Sequence, residues 1–420
     1  MALSALDIYK LLPKTNCKKC GSPTCLAFAM RLLSKKASLS ECPDVSNEAR
    51  NLLAQAAQPP IVTLTTGTNL QTEAISLGGE TVLFRHEKTF YHPAAIAVSI
   101  NDAIPDAELN ERLAKIRVLK FERVGEKLEV NLIALHNASG DAKKFAQVAK
   151  KCIRETGLGI ILVSENIASL EEAIKETREV KPIIYAASKP NLEKLIALCR
   201  ADGLPLVLKS ENLEKTLKLS EETINKGYKG LILDISAKNQ SQALENLTIL
   251  RRLALKSFRP AGFPVICFTK NKEFDLEVLE AGTYIAKYAS IVVVNSVDLE
   301  AHLALLTLRQ NIYTDPQRPV TVEPKLYEIG FPGKDSPLLV TTNFSLTFYT
   351  VSPEIENSKV PSYLLVTDTE GMSVLTAWAA EKFTAETIAK AMKSSGVEEK
   401  ISHRKVIIPG YVAVLSGKLE

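Results

Sequence analysis

From Ala94 onward the chain alternates short, wholly apolar runs with longer stretches in which apolar residues recur at the helical period. The runs are Ala94 to Ile100, Leu128 to Leu135, Gly159 to Ser164, Pro182 to Ala186, Leu206 to Leu208, Leu231 to Ile235, Val265 to Phe268 and Ile291 to Val294. Apolar on both faces and separated by a helix each, they predict parallel strands in βα units. Eight such units fit a compact (β/α)8 barrel, with a doubly wound open sheet as the alternative because the pattern does not prove closure. Upstream, β-branched residues and Gly78-Gly79 between Ile61 and Tyr91 predict a few strands or a hairpin lying across the βα units.

Downstream, the stretch from about Thr314 to Ser336 is rich in Pro and polar residues and reads as a linker, with Pro316 and Pro319 as its hinge candidates. Beyond it, Leu338 to Thr341, Tyr363 to Thr367 and Lys405 to Ile408 read as strands, and Met372 to Ala380 and Ala385 to Lys393 as helices. This is a small Rossmann-like α/β sheet. Ligands of such sheets sit beyond the carboxyl ends of the strands, here Thr341 to Thr347, Asp368 to Val374 and Pro409 to Tyr411.

The first 58 residues hold too few apolar positions to fold alone. Ser4 and Asp7 form a capping box for a short helix that Pro13 ends, and Ser22-Pro23 reads as the start of a second helix running to about Lys36. A third helix, about Asn47 to Ala57 and capped by Ser46, precedes the Pro59-Pro60 breaker. Cys17, Cys20, Cys25 and Cys42 fall here in the pattern C-x2-C-x4-C-x16-C. Two lie on a loop, one in the first turn of a helix and one on the next loop, so a metal centre would supply the missing stability. Structural zinc usually takes two C-x2-C knuckles, whereas this spacing is closer to iron–sulfur ligation, and both metals stay open. Lys18, Lys19, Lys35 and Lys36 lie nearby and would offset thiolate charge. Cys152, Cys199 and Cys267 sit in apolar patterns and read as core.

Composition narrows the function. Fifty-two Lys and Arg against 48 Asp and Glu leave a net charge of +4, all of it in the first 60 residues, far from the dense basic face that nucleic acid needs. No stretch is long and apolar enough to span a membrane or act as a signal peptide, and seven unevenly spaced cysteines argue against a secreted disulfide framework. A cytoplasmic location is the default. If the barrel closes, its mouth is lined by Asn101, Asp102, His136, Asn137, Glu165, Asn166, Glu211, Asn212, Asp234, Lys270, Asn271 and Asn295, which either bind a small molecule or cap the following helices. No Walker loop, G-x-S-x-G or G-x-G-x-x-G occurs, and the five His form no zinc-protease pattern.

Four segments go further. The run Ile8-Tyr9-Lys10-Leu11-Leu12-Pro13, the cysteine spacing with Gly21, Pro23 and Pro43, the segment from Gly79 to Phe90, and Asp368-Thr369-Glu370-Gly371 resemble the large (γ) subunit of the corrinoid iron–sulfur protein of the reductive acetyl-CoA pathway. The resemblance implies a small N-terminal [4Fe–4S] domain (residues 1–58) on Cys17, Cys20, Cys25 and Cys42, a central TIM-like barrel (59–315) and a C-terminal Rossmann-like corrinoid-binding domain (316–420). It places the corrinoid contacts at Val340, Thr341, Thr342, Leu346, Thr347, Thr369, Glu370, Gly371, Met372, Ser373, Val374, Gly410 and Tyr411. It also implies a cytoplasmic heterodimer with a small barrel subunit. The cobalt corrinoid would accept a methyl group from methyltetrahydrofolate on a methyltransferase and deliver it to acetyl-CoA synthase, while the cluster re-reduces Co(II).

Many cobalamin proteins carry Asp-x-His-x-x-Gly to set a His under cobalt. The corresponding loop here, Asp368-Thr369-Glu370-Gly371, has none, so a base-off corrinoid is expected. Members of that family are expected to continue past the position of Glu420. Two other readings compete: a barrel methyltransferase binding a pterin at its mouth with a structural zinc on the four cysteines, and an electron-transfer subunit without corrinoid.

Overall fold

The apolar runs become the staves of a closed barrel. The computed structural model describes residues 5–33, 37–46, 49, 59–67, 74–315 and 318–420. The chain divides into two units, Met1–Lys120 with Glu129–Tyr313, and Phe121–Leu128 with Thr314–Glu420.

In the first unit, helices α1 (Ala5–Leu11) and α2 (Cys25–Leu33) carry the cysteine-rich segment. An antiparallel pair, β1 (Thr63–Thr66) and β2 (Ile75–Gly78), follows. The barrel then runs from β3 (Ala95–Asn101) through α3 (Asp106–Arg117) and the short strands β4 (Lys120–Arg123) and β5 (Glu126–Glu129) to β6 (Leu132–His136). It continues with α4 (Ala142–Thr156), β7 (Gly159–Val163), α5 (Ile167–Thr177), β8 (Ile183–Ala187), α6 (Leu192–Asp202), β9 (Leu206–Leu208) and α7 (Leu213–Asn225). Last come β10 (Leu231–Asp234), α8 (Gln240–Leu255), β11 (Val265–Phe268), α9 (Phe274–Ala286), β12 (Ile291–Val294) and α10 (Leu299–Tyr313). The strand order β10-β11-β12-β3-β6-β7-β8-β9 is a closed ring of parallel pairs, which decides the barrel over the open sheet. Closure comes from β12 on β3, with Ile291 opposite Ala95 and Val294 opposite Val98.

Inside, Ala97, Ala134, Ile161, Ile183, Val207 and Ile266 share one core with Leu77 of β2. The β1–β2 pair covers the amino end of the barrel: Val62 N donates to Gly262 O and Gly67 N to Val180 O, both just ahead of barrel strands. The Gly79–Phe90 segment continues as a strap. Its buried Glu80 accepts from Tyr91 N (2.9 Å) and His92 N (3.1 Å), and burial pushes this carboxyl up from its ordinary range. Arg251, stacked on Phe90 and Tyr288, holds the strap by donating to Val82 O at 2.9 Å.

Two expectations change here. The run Leu128 to Leu135 is not one strand: it breaks at Val130-Asn131, because Asn131 Oδ1 turns back to accept from Ile96 N (3.1 Å) and from Arg309. The residues before the break form the β4–β5 hairpin, whose tip belongs with the second unit. Helix α2 starts at Cys25 and not at Ser22-Pro23, since Thr24 Oγ1 caps it by accepting from Ala27 N at 3.0 Å. Ser22 is instead buried and bonded to Arg31. Of the helix expected over Asn47 to Ala57 only Ala49 is described, its N donating to Ser46 Oγ at 3.1 Å as a Ser46 cap requires; the rest of it, the Ser4 cap, Lys35, Lys36 and Pro316 lie outside the described residues.

The second unit is a four-stranded sheet, β13-β15-β14-β16, made of β13 (Leu326–Ile329), β14 (Leu338–Thr342), β15 (Ser362–Thr367) and β16 (Val406–Ile407). β14 runs parallel to both β15 and β16, whereas β13 is an antiparallel edge strand within the expected linker. Helix α11 (Ser345–Ser358) packs one face through Phe348 and Ile355. The other face receives α12 (Val374–Ala379), α13 (Ala385–Ser395) and α14 (Val397–Lys400), and a short α15 (Ser416–Leu419) comes last. Chain order β14, β15, β16 with spatial order β15-β14-β16 puts the reversal of winding beside β14, where ligands of such sheets bind. No described helix is long and apolar enough to cross a membrane.

Candidate functional site

The cysteine loop is wound tightly for its length. Lys14, Asn16, Lys18 and Gly21 all adopt left-handed φ (58°, 47°, 61° and 70°), so the backbone curls around Cys17 and Cys20. Asn16 Oδ1 fixes the loop to the helix start by accepting from Cys25 N at 2.8 Å, and Gly21 N closes a turn on Lys18 O at 2.9 Å. Cys25 and Cys42 are buried with Ile8, Leu12, Phe28 and Val45, Cys20 packs partly against them, and Cys17 is exposed. Burial pushes the Cys42 thiol up, and the nearby charges of Cys20, Cys17 and Asp44 raise it further. Cys17 Sγ lies 3.6 Å from Asp44 Oδ2, and Lys19 pairs with the same carboxylate at 3.2 Å. Lys19 thus balances Asp44. Among the described residues no set of three Cys, His, Asp or Glu side chains is placed to hold a single metal ion. A four-iron cluster binds each thiolate to a different iron, and four thiols arriving from a loop, a helix start and a second loop suit that donor set. Cys152, Cys199 and Cys267 are buried in the barrel's helices and sheet, with thiols pushed up by burial, as core cysteines are.

The carboxyl edge of the second unit's sheet is organised by one side chain that no sequence motif marks. Asn343, buried directly after β14, accepts at Oδ1 from Thr369 N, Thr369 Oγ1 and Gly371 N, each at 3.0 Å, and donates from Nδ2 to Asp368 Oδ1 at 3.1 Å. It ties the loop after β15 to the end of β14. That loop needs left-handed backbone at Glu370 (φ 56°) and Gly371 (φ 75°), and a Cβ on Gly371 would stand 2.7 Å from Thr321 Cγ2. Beside it, the hydroxyls of Thr341, Thr342 and Ser345 are buried without any hydrogen-bond partner. Native interiors rarely leave polar atoms so, and Thr341 and Thr342, adjacent on β14, place theirs on opposite faces of the sheet.

Of the residues expected to hold a corrinoid, Thr341, Thr342, Leu346, Thr347, Thr369, Glu370, Gly371, Met372, Ser373, Gly410 and Tyr411 lie at this edge or in the loops and helix start leading from it. Val340 and Val374 face the hydrophobic core beneath. Leu346 and Thr347 stand on the first turn of α11 and not on the loop expected there. Tyr411 is 80% exposed. The unit's one histidine, His403, is engaged through both ring nitrogens, with Ser336 O at 2.9 Å and Lys405 N at 3.1 Å, at the opposite, amino edge of the sheet.

At the barrel mouth the polar set divides. Asn166 and Asn212 are helix caps, accepting from Ala168 N and Lys215 N at 3.0 Å each. Asn271 and Asn295 are held by the buried carboxylates Glu280 and Glu277, and Glu211 pairs with Lys215 outside. Asp102 accepts from Ser139 and Asn137, and Asn101 Oδ1 from Ala103 N. His136, Asn137, Glu165, Asp234 and Lys270 line a cavity of about 870 Å³. Tyr185 and Lys209, which the sequence pattern does not single out, join them there.

Residues 62–420 match the family model described as CO dehydrogenase/acetyl-CoA synthase delta subunit. The chain belongs to this family. Residues 12–43, spanning all four N-terminal cysteines, match a second model described as "Putative Fe-S cluster". A "Corrinoid/iron-sulfur protein large subunit" from Moorella thermoacetica is 45% identical over 421 residues, covering 100% of this chain and 94% of its own. "Acetyl-CoA decarbonylase/synthase complex subunit gamma" proteins from Methanothermobacter thermautotrophicus and Methanocaldococcus jannaschii are each 35% identical, covering 100% of this chain and 94% and 91% of theirs. The resemblance carried by the cysteine spacing and the Asp368–Gly371 stretch therefore extends along the full chain.

Proposed function

We propose that this chain is a corrinoid methyl carrier of the acetyl-CoA pathway, working as the large subunit of a heterodimer with a small barrel subunit in the cytoplasm. The observation that carries the reading is the presence, in one chain, of a four-thiol segment and a carboxyl sheet edge with three buried, partnerless hydroxyls. The names of the full-length relatives support it. Cys17, Cys20, Cys25 and Cys42 would hold a [4Fe–4S] cluster, and the loops after β14, β15 and β16 would hold a cobalt corrinoid. When bound, the corrinoid would supply the methyl-carrying chemistry between methyltetrahydrofolate on a methyltransferase and acetyl-CoA synthase, and the cluster would supply the electron that returns Co(II) to Co(I).

The residues of the chain bind and orient. The buried hydroxyls of Thr341, Thr342 and Ser345 would be satisfied where the corrinoid's polar groups, or water they bring, reach them, and Asn343 holds the loop after β15 against the end of β14. No histidine of this unit is free to ligate cobalt, because His403 is fully engaged at the far edge, which supports a base-off corrinoid.

Anaerobically purified protein should contain iron and cobalt together. Zinc alone, or iron without cobalt, would refute the reading. A Cys20→Ala chain should keep cobalt but fail to be re-reduced from Co(II), followed by the cobalt EPR signal. Nitrogen superhyperfine splitting in that signal would count against the base-off state.

A further inference from the structure

The cavity at the barrel mouth is not used by the proposed methyl carrier, and its chemistry is specific. It opens at the carboxyl ends of the strands, where barrel proteins bind small molecules. Its base holds Asp234, 8% exposed, whose Oδ2 accepts from Tyr185 Oη at 2.8 Å and whose Oδ1 accepts from Ser236 N at 2.7 Å. Each oxygen keeps a lone pair for a further donor. Among the described residues no cation contacts this carboxylate, and a structural barrel would fill the position with Leu or Ile at less cost.

The walls are aromatic. Phe268 lies 4.8 Å from the Tyr185 ring between centroids, and His136 meets Phe268 edge-on at 6.1 Å. Burial holds the imidazole of His136 below its ordinary range, so it offers a neutral donor and acceptor. At the rim stand two exposed cations. Lys209 lies over the Tyr185 ring, and Lys270 reaches Ala237 O, with Glu165 as the one acid beside them.

A carboxylate accepting N–H groups at the base, flat aromatic walls and net positive charge at the rim describe a ligand as much as a pocket. We infer that the barrel mouth binds a planar, amino-bearing nitrogen heterocycle with an anionic tail, the heterocycle's N–H edge on Asp234 and the tail between Lys209 and Lys270. The volume of about 870 Å³ suits a molecule of that size. Two sources share this chemistry, a reduced pterin with its glutamate tail and a purine nucleotide. The site is independent of the corrinoid, so its failure would leave the methyl-carrier reading untouched.

Titration calorimetry on the intact, anaerobically purified protein decides it, with 5-formyltetrahydrofolate and GMP as the two probes. One of them should bind with one-to-one stoichiometry, and which one does so names the source. Asp234→Asn should weaken binding about tenfold or more, because an amide turns a donor toward the ligand's own N–H edge. Lys209→Ala with Lys270→Ala, both on the exposed rim and so harmless to folding, should weaken the tailed probe about tenfold and remove most of its salt dependence. The inference is overturned if neither probe binds at up to about 1 mM. It is equally overturned if the bound probe is indifferent to the lysine pair.

Discussion

Asn343→Ala tests how the second unit keeps its ligand edge in shape. The amide's Oδ1 satisfies the buried N–H groups of Thr369 and Gly371, while the Thr369 hydroxyl retains Met372 O at 3.1 Å as a second acceptor. Truncation therefore strands two buried backbone donors. At roughly 1–3 kcal/mol for each unsatisfied donor, lowered where water fills the space, the expected loss is about 3 kcal/mol. For a unit of this size, with a urea slope of roughly 1.5 kcal/mol per molar, the midpoint should fall by about 2 M. The chain's single tryptophan makes the assay local: Trp378 sits at the end of α12 in this unit, so urea unfolding followed by its fluorescence reports the second unit and not the barrel. Asn343→Asp is the control. It keeps the acceptor but sets a carboxylate against Asp368 across a 3.1 Å contact, and should cost stability that returns on acidification as the pair protonates. A midpoint shift below about 0.3 M for Asn343→Ala would refute the reasoning, since it would mean that the two amides find other partners.

Three further outcomes are expected. Gly371→Ala forces a left-handed φ on a residue with a Cβ and drives that atom to 2.7 Å from Thr321 Cγ2, so it should lower corrinoid uptake, measured as cobalt per chain, and destabilise the unit by about 1–3 kcal/mol. Arg309→Leu removes bonds to Ala94 O (3.2 Å) and Glu129 O (2.9 Å) inside the barrel wall, and should cost about 3 kcal/mol in thermal or denaturant unfolding followed by circular dichroism. His302 is fully buried with Nδ1 unpaired and Nε2 bonded to Ser296 O at 2.9 Å, and burial depresses its folded pKa below the ordinary 6.5. The unfolded chain then binds the extra proton first, so barrel stability should fall as pH drops below about 6.5 and level off below the folded value, and His302→Gln should flatten that part of the profile.

Much of the barrel was legible because burial on both faces leaves an unambiguous signature. Leu206–Leu208, Val265–Phe268 and Ile291–Val294 are strands to the residue. What escaped depended on partners remote in sequence. The edge strand Leu326–Ile329 lies in a Pro-rich stretch, and only pairing with β15 makes it a strand. Helix α11 carries Pro353 in its interior and few charges, so local propensity argues against a helix that packing through Phe348 and Ile355 nonetheless enforces. The four cysteines announce themselves by spacing, whereas the role of Asn343 and the three partnerless hydroxyls exist only once the sheet's register brings β14 beside the loop after β15.

The hairpin tip Phe121–Leu128 ties the architecture together covalently. Because these eight residues leave the barrel's sequence yet belong to the second unit, the polypeptide passes from one unit to the other three times, after Lys120, after Leu128 and after Tyr313. A gene fragment beginning at Thr314 would therefore encode an incomplete unit, lacking the glycine turn at Gly125 that Tyr349 abuts. A proteolytic nick between Tyr313 and Thr314 would cut the thread itself, and the fragment from Thr314 would then stay on only through its non-covalent packing with Phe121–Leu128 of the same unit.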